Sequence, residues 1–96
     1  MHARIGKAEL EPGRMEEAVA IWRERIMPRL RQQPGFRGAL ILGDGQTTAE
    51  AITLWESAAD AQAVGPTMQV AIGQLGGPLA HFPEREAYTV YLDERA

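Results

Sequence analysis

The sequence predicts an α+β domain in the order βαββαβ, with four antiparallel strands and its helices on one face of the sheet. Three observations carry this. Residues 33–57 read as two strands folded back across a polar, glycine-containing turn. Residues 14–32 carry an apolar stripe at helical spacing. A serine-capped second helical region is then followed by a closing strand of alternating pattern.

Taken in order, residues 2–10 form a first strand that breaks at Glu11-Pro12-Gly13. In the helix over 14–32, Met15, Ala18, Val19, Trp22, Ile26 and Leu30 recur at spacings of three and four and so share one face. Glu16 and Glu17 in its first turn and Arg29 and Arg31 in its last complement the helix dipole. Pro28 deletes one backbone donor, so a bend or a loosened final turn is expected there. Gln33-Pro34-Gly35 stops the helix, and strands follow over 36–42 and 50–55, joined by Asp44-Gly45-Gln46-Thr47-Thr48. Ser57, three residues before Asp60, caps a helix from Ala58. Gly65-Pro66 interrupts it, and a second segment carries Met68, Ala71, Ile72 and Leu75 before Gly76-Gly77-Pro78. A loop with His81 and Phe82 leads to a last strand over 85–92, which sets Tyr88, Val90 and Leu92 on one face. The whole is a ferredoxin-like, split βαβ arrangement.

Pairing Gly43 with Ala49 places Arg37, Ala39 and Ile41 on the face of Ala51, Thr53 and Trp55, and Phe36, Leu40 and Leu42 with Ile52 and Leu54. Both faces are then apolar, while the helices cover one. A homodimer packed sheet on sheet through the free face is the expected remedy.

The 96 residues make one domain, 1–96, since a second core cannot be built from what remains. No apolar run approaches the roughly 20 residues that span a bilayer, and no signal-peptide pattern opens the chain, so a cytoplasmic protein without membrane attachment is expected. The absence of cysteine excludes disulfides and thiolate chemistry. A net charge of −3 gives no reason to expect nucleic acid. No phosphate loop, dinucleotide fingerprint, zinc spacing or catalytic triad is present.

The order of elements, the proline at Ile26-Met27-Pro28, the entry Gln33-Pro34-Gly35-Phe36 and the junction Thr53-Leu54-Trp55-Glu56-Ser57 resemble the antibiotic biosynthesis monooxygenase domain of the dimeric α+β barrel superfamily. The resemblance covers nearly the whole chain. It implies a cofactor-independent oxygenase, without metal or flavin, that oxidises a polycyclic phenolic or anthrone-type molecule with O2, the substrate supplying the electrons. Such an enzyme needs an apolar cavity, a group that promotes a carbanion, and donors that orient the phenolic oxygens. By the resemblance Trp55 lines the pocket; read from its position alone, it fills the core between sheet and helices. Thr53 on its face is small enough to leave room for a flat ligand.

His81 is a candidate base, or a loop histidine without a role. Tyr88 and Tyr91 are candidate donors to a substrate oxygen, or structural strand residues. Arg37 would lie beside Trp55 and stack on it or pair with an anionic ligand, or remain a surface arginine. Trp22 belongs to the helix stripe, with pocket lining as a second role. The family's oxygenase asparagine before the tryptophan is replaced by the stretch Ala49, Glu50, Ala51. The asparagine and histidine of its haem-degrading branch are also missing, since the chain has no asparagine and no histidine over 58–77. Three functions stay open: an oxygenase for an aromatic or quinol-like small molecule, a dimeric binding module without chemistry, and a packed structural dimer. A pocket of roughly 300 Å³ or more separates the first two from the third.

Overall fold

The computed structural model describes residues 1–73 and 84–95. The elements are β1 (His2–Glu9), α1 (Met15–Ile21), a π-helical turn (Trp22–Ile26), α2 (Met27–Arg31), β2 (Phe36–Gly43), β3 (Thr48–Trp55), α3 (Ala58–Ala63), α4 (Gly65–Gly73) and β4 (Glu84–Thr89). The four strands form one antiparallel sheet in the order β2-β3-β1-β4. This is the ferredoxin-like α+β arrangement that the pattern predicts.

The apolar stripe of the first helix behaves as its spacing requires. Ala18, Trp22, Ile26 and Leu30 are buried and meet Trp55 of β3 and Ala61, Val64 and Met68 of the second helical region in one core. The expected disturbance by Pro28 lies one turn upstream of it. Pro28 has no N–H for the carbonyl four residues back, and its ring crowds that carbonyl. The chain responds by widening the preceding turn, where the Met27 N–H reaches the Trp22 carbonyl, five residues back. Arg14 closes the start of α1 with a two-pronged bond to Glu17, at 2.7 and 2.9 Å.

The hairpin holds the expected register, with Gly43 opposite Ala49, Ile41 opposite Ala51 and Ala39 opposite Thr53. Its turn is built by Asp44, whose carboxylate accepts from the amides of Gln46 and Thr48, at 2.8 and 3.2 Å, while Gly45 takes φ +80. The Gln46 amide, the larger cause, holds the Asp44 carboxyl below its ordinary value. At the other end the register is corrected. A β-bulge between Phe36 and Gly38 sets Phe36 opposite Trp55 and leaves Arg37 without a place in the ladder. Phe36 thereby moves to the helix side, edge-on to Trp55 with ring centroids 5.5 Å apart, instead of joining Leu40 and Leu42.

The last strand ends at Thr89 instead of running to 92. Thr89 stands opposite His2, the first residue of β1, and the Val90 amide donates to the Met1 carbonyl at 3.0 Å. The second helical region starts where expected. Ser57 accepts from the Asp60 amide at 3.1 Å and donates to the Asp60 carboxylate at 3.0 Å. Ser57→Ala removes both bonds, and thermal unfolding is expected to show a loss of about 1 kcal/mol. An unchanged unfolding midpoint would show that this cap contributes nothing. The interruption of the helical region lies at Val64, so that Pro66 is the second residue of α4. The expected end of that segment at Gly76-Gly77-Pro78 falls outside the described residues.

Alternation then sorts the sheet into two unlike faces. On the helix side lie Arg4, Gly6, Ala8, Ala49, Ala51, Thr53 and Trp55. On the other lie Ala3, Ile5, Ile52, Leu54, Leu40, Leu42 and Tyr88, and no described helix covers them. Leu40, Leu42 and Tyr88 are exposed, with Leu40 at 56%.

Candidate functional site

The side chains on the helix face of the sheet are small in the middle. Gly6 and Ala8 of β1 stand opposite Ala51 and Ala49 of β3, and next to them the stripe of α1 presents Met15, Ala18, Val19 and Trp22. Small residues opposed to large ones leave a gap that the layers do not close. A half-open, almost wholly apolar cavity of about 70 Å³ results, with Ile41 at one wall and Met68 of α4 at another. That volume is well under the roughly 300 Å³ at which drug-sized ligands are usually enclosed.

Two of the predicted residues are at this cavity. Thr53 is 3% exposed, and its hydroxyl accepts from the Trp55 indole N–H at 2.9 Å. Trp22 is 7% exposed, and its own indole Nε1 is buried with no hydrogen-bond partner. The two tryptophans thus differ in kind: one N–H is satisfied inside the protein and the other is not.

Trp55 is placed otherwise than in a pocket wall. It is fully buried, packs on Phe36, and is not among the residues that line the cavity. It supports the site from behind by holding the Thr53 hydroxyl. The expected neighbourhood of Arg37 and Trp55 is corrected, because the bulge turns Arg37 outward, where it is exposed and paired with Glu56. Tyr88 stands on the face of the sheet away from the cavity, half exposed, its hydroxyl donating to Glu86. That bond raises the Tyr88 pKa above its ordinary value, the reverse of what an acid at neutral pH requires. Tyr91 is 95% exposed beyond the end of β4. His81 lies outside the described residues.

Arg4 escapes a reading by motif. Arg4 lines the cavity, and its guanidinium donates to the Ala61 carbonyl at 2.7 Å, near the end of α3. The available signal was alternation: the helix face of β1 begins His2, Arg4, Gly6, Ala8, which puts one cation among small residues. Glu50 also borders the cavity, but its carboxylate is turned to Lys7, 3.6 Å away, on the open face.

Among the described residues no three histidine, cysteine or acidic side chains come together as a metal site. Among the described residues that line the cavity there is no histidine or cysteine to ligate a haem iron. No described helix is long and apolar enough to cross a membrane.

No family model matches the sequence, and no curated protein matches it significantly. Solved structures match along nearly the whole chain. A candidate antibiotic biosynthesis monooxygenase from Bordetella bronchiseptica superposes with a TM-score of 0.77 at 16% identity, over 95% of this chain and 97% of that one. The heme-degrader MhuD of Mycobacterium tuberculosis, with two hemes bound in its active site, gives 0.77 at 25% identity over 99% and 100%. The monooxygenase ActVA-Orf6 of Streptomyces coelicolor, in complex with nanaomycin D, gives 0.75 at 17% identity over 99% and 91%. These are the structures to which the Gln33–Phe36 entry and the Thr53–Ser57 junction pointed. The chain has the ferredoxin-like α+β fold of the antibiotic biosynthesis monooxygenase domains.

Proposed function

We propose that this protein is a cofactor-independent monooxygenase that takes an aromatic, quinol-like small molecule into the cavity between sheet and helices. The observation that carries the reading is the cavity itself. It is apolar, it opens to the surface, and two of the residues on its wall, Thr53 and Arg4, carry polar groups that would orient an oxygenated ring. The fold shared with a monooxygenase solved in complex with nanaomycin D supports it.

For an anthrone the reaction balances without added electrons. A base removes a proton from the ring CH2, the carbanion reduces O2, and CH2 plus O2 becomes C=O plus water. Arg4 would stabilise the enolate oxygen that shares the carbanion's charge. His81 is the base that the sequence offers. With purified protein, anthrone and an oxygen electrode, one O2 is expected per anthrone converted to the quinone, and His81→Gln is expected to slow the uptake at least tenfold. A rate no higher than that of the buffer would overturn the reading.

A second reading is a dimeric domain that binds a small molecule without chemistry, or only holds its own structure. The cavity volume of about 70 Å³, under the roughly 300 Å³ of a usual ligand site, favours its structural form. Tight binding of an aromatic ligand with no oxygen uptake would establish the binding module, and neither binding nor uptake the structural one.

Both readings share a cytoplasmic homodimer packed through the open sheet face. Its support is the patch of Ile5, Ile52, Leu54, Leu40, Leu42 and Tyr88, which no described helix covers and which a soluble monomer rarely tolerates. Tyr88 then belongs to the interface. Sedimentation at micromolar concentration is expected to give about twice the 10.5 kDa chain mass, and Leu40→Glu to return it to one. A wild-type monomer would refute the dimer.

A further inference from the structure

We infer that a ligand lies in the cavity in one direction along β1 and β3, its hydrocarbon end over Ala8 and Ala49 and its oxygenated end toward Arg4 and Thr53, so that the site selects rings oxygenated at one end only. This rests on the reading of the cavity as a ligand site.

The register sets the axis. On the helix side of the sheet three cross-strand pairs follow one another, Arg4 with Thr53, Gly6 with Ala51 and Ala8 with Ala49, and all of these residues line the cavity. Successive pairs are two residues apart, roughly 7 Å along the strands, so the two pairs of small residues make a floor about as long as one aromatic ring. Met15 stands at the Ala49 end. Its sulfur is 3.2 Å from where a Cβ on Gly43 would be, and Gly43 is the β2 partner of Ala49.

The direction follows from where the polar side chains are. Arg4 and Thr53 carry them at the first pair; Glu50 also borders the cavity, but its carboxylate is paired with Lys7 on the open face of the sheet. At the other end an oxygen would lie over Ala8 and Ala49 and beside Met15, where no described side chain replaces the water it has lost. Next to Arg4 and Thr53 fixed dipoles stand in for that water, even though the guanidinium is bonded to Ala61 and the hydroxyl to Trp55. Methyl and methylene groups have the opposite preference, since they lose nothing over the alanines.

The test uses p-cresol and hydroquinone, rings of one shape that differ by a methyl against a hydroxyl at one end. Entry is read from the methyl signals of the four methionines, of which Met15 and Met68 line the cavity, and Met15→Leu assigns the first. With p-cresol a nuclear Overhauser effect is expected at the Met15 methyl from the cresol methyl, and none from the ring protons beside its hydroxyl. Hydroquinone, which has to set one oxygen over Ala8 and Ala49, is expected to bind about tenfold more weakly than p-cresol. In Ala8→Val the hydrocarbon end is shortened, so the variant is expected to lose about tenfold in affinity for p-cresol and to bind phenol, which lacks the methyl, as the wild type does. An Overhauser effect at Met15 from the hydroxyl side, equal affinity for p-cresol and hydroquinone, or equal loss of p-cresol and phenol in the folded variant would overturn the inference while leaving the ligand site standing. Binding of neither p-cresol nor hydroquinone to the wild-type protein would overturn the ligand site as well. The wild-type spectra decide the question even if the variant does not fold.

Discussion

Trp55→Ala is expected to lower the stability of the fold by about 3–5 kcal/mol, the largest effect of any single substitution considered for this chain. The side chain is fully buried, and it lies where β3 meets the core formed by Ile26, Leu30, Ala61 and Val64. Removing it forfeits the edge-on contact with Phe36 and leaves the Thr53 hydroxyl without its donor. Neighbouring side chains relax only in part into such a space. Trp55→Phe is the milder form, expected to cost about 1–3 kcal/mol. Affinity for an aromatic ligand should change little in the Phe variant, because Trp55 does not line the cavity. Unfolding and binding measured on the same sample, at one protein concentration, check both halves, since a dimer's apparent stability depends on concentration. A Phe variant of wild-type stability with much weaker ligand binding would instead make Trp55 a pocket residue.

Gly35→Ala is expected to cost about 2–3 kcal/mol, for two reasons that can be measured apart. The backbone there has φ +77, which an alanine adopts only with strain. The added methyl would also overlap the carboxylate of Asp60, and would come within 2.8 Å of the Asp60 Cβ. Asp60 cannot simply swing aside, because Ser57 holds both its amide and its carboxylate as the cap of α3. On the other side the Gly35 carbonyl accepts from the Glu56 amide at 2.8 Å. The entry to β2 and the start of α3 are thus clamped on one glycine. In the double variant with Asp60→Ala the overlap with the carboxylate is gone, so the two losses should sum to less than their separate values. A Gly35→Ala protein within about 0.5 kcal/mol of wild type would show that the clamp is loose.

Both predictions turn on residues that the sequence placed correctly in order but not in space. Gln33-Pro34-Gly35 was legible as a stop, because proline and glycine act on the backbone locally. That a methyl at Gly35 would also meet a side chain follows only from Asp60, a residue of α3. Similarly, period-two alternation put Trp55 and Thr53 on one face, and the turn chemistry of Asp44 and Gly45 set Gly43 against Ala49. The bulge at Arg37 has no comparable local signal. It shifts one residue, brings Phe36 under Trp55 and sends Arg37 out to Glu56, and the site residues expected from straight alternation separate accordingly.

What the sequence determined by itself is the set of local preferences: four strands, the helical stripe, the Ser57 cap, and an apolar character on both faces of the sheet. Each is written in the spacing of neighbouring residues, within one or two turns or one hairpin. The tertiary structure alone decided which tryptophan has a partner for its N–H, where Pro28 is accommodated, and that Arg4 stands at a cavity floored by Gly6, Ala8, Ala49 and Ala51. These depend on how far apart two layers come to rest, and that distance is set by the summed volumes of side chains from several elements, which no single stretch of sequence contains.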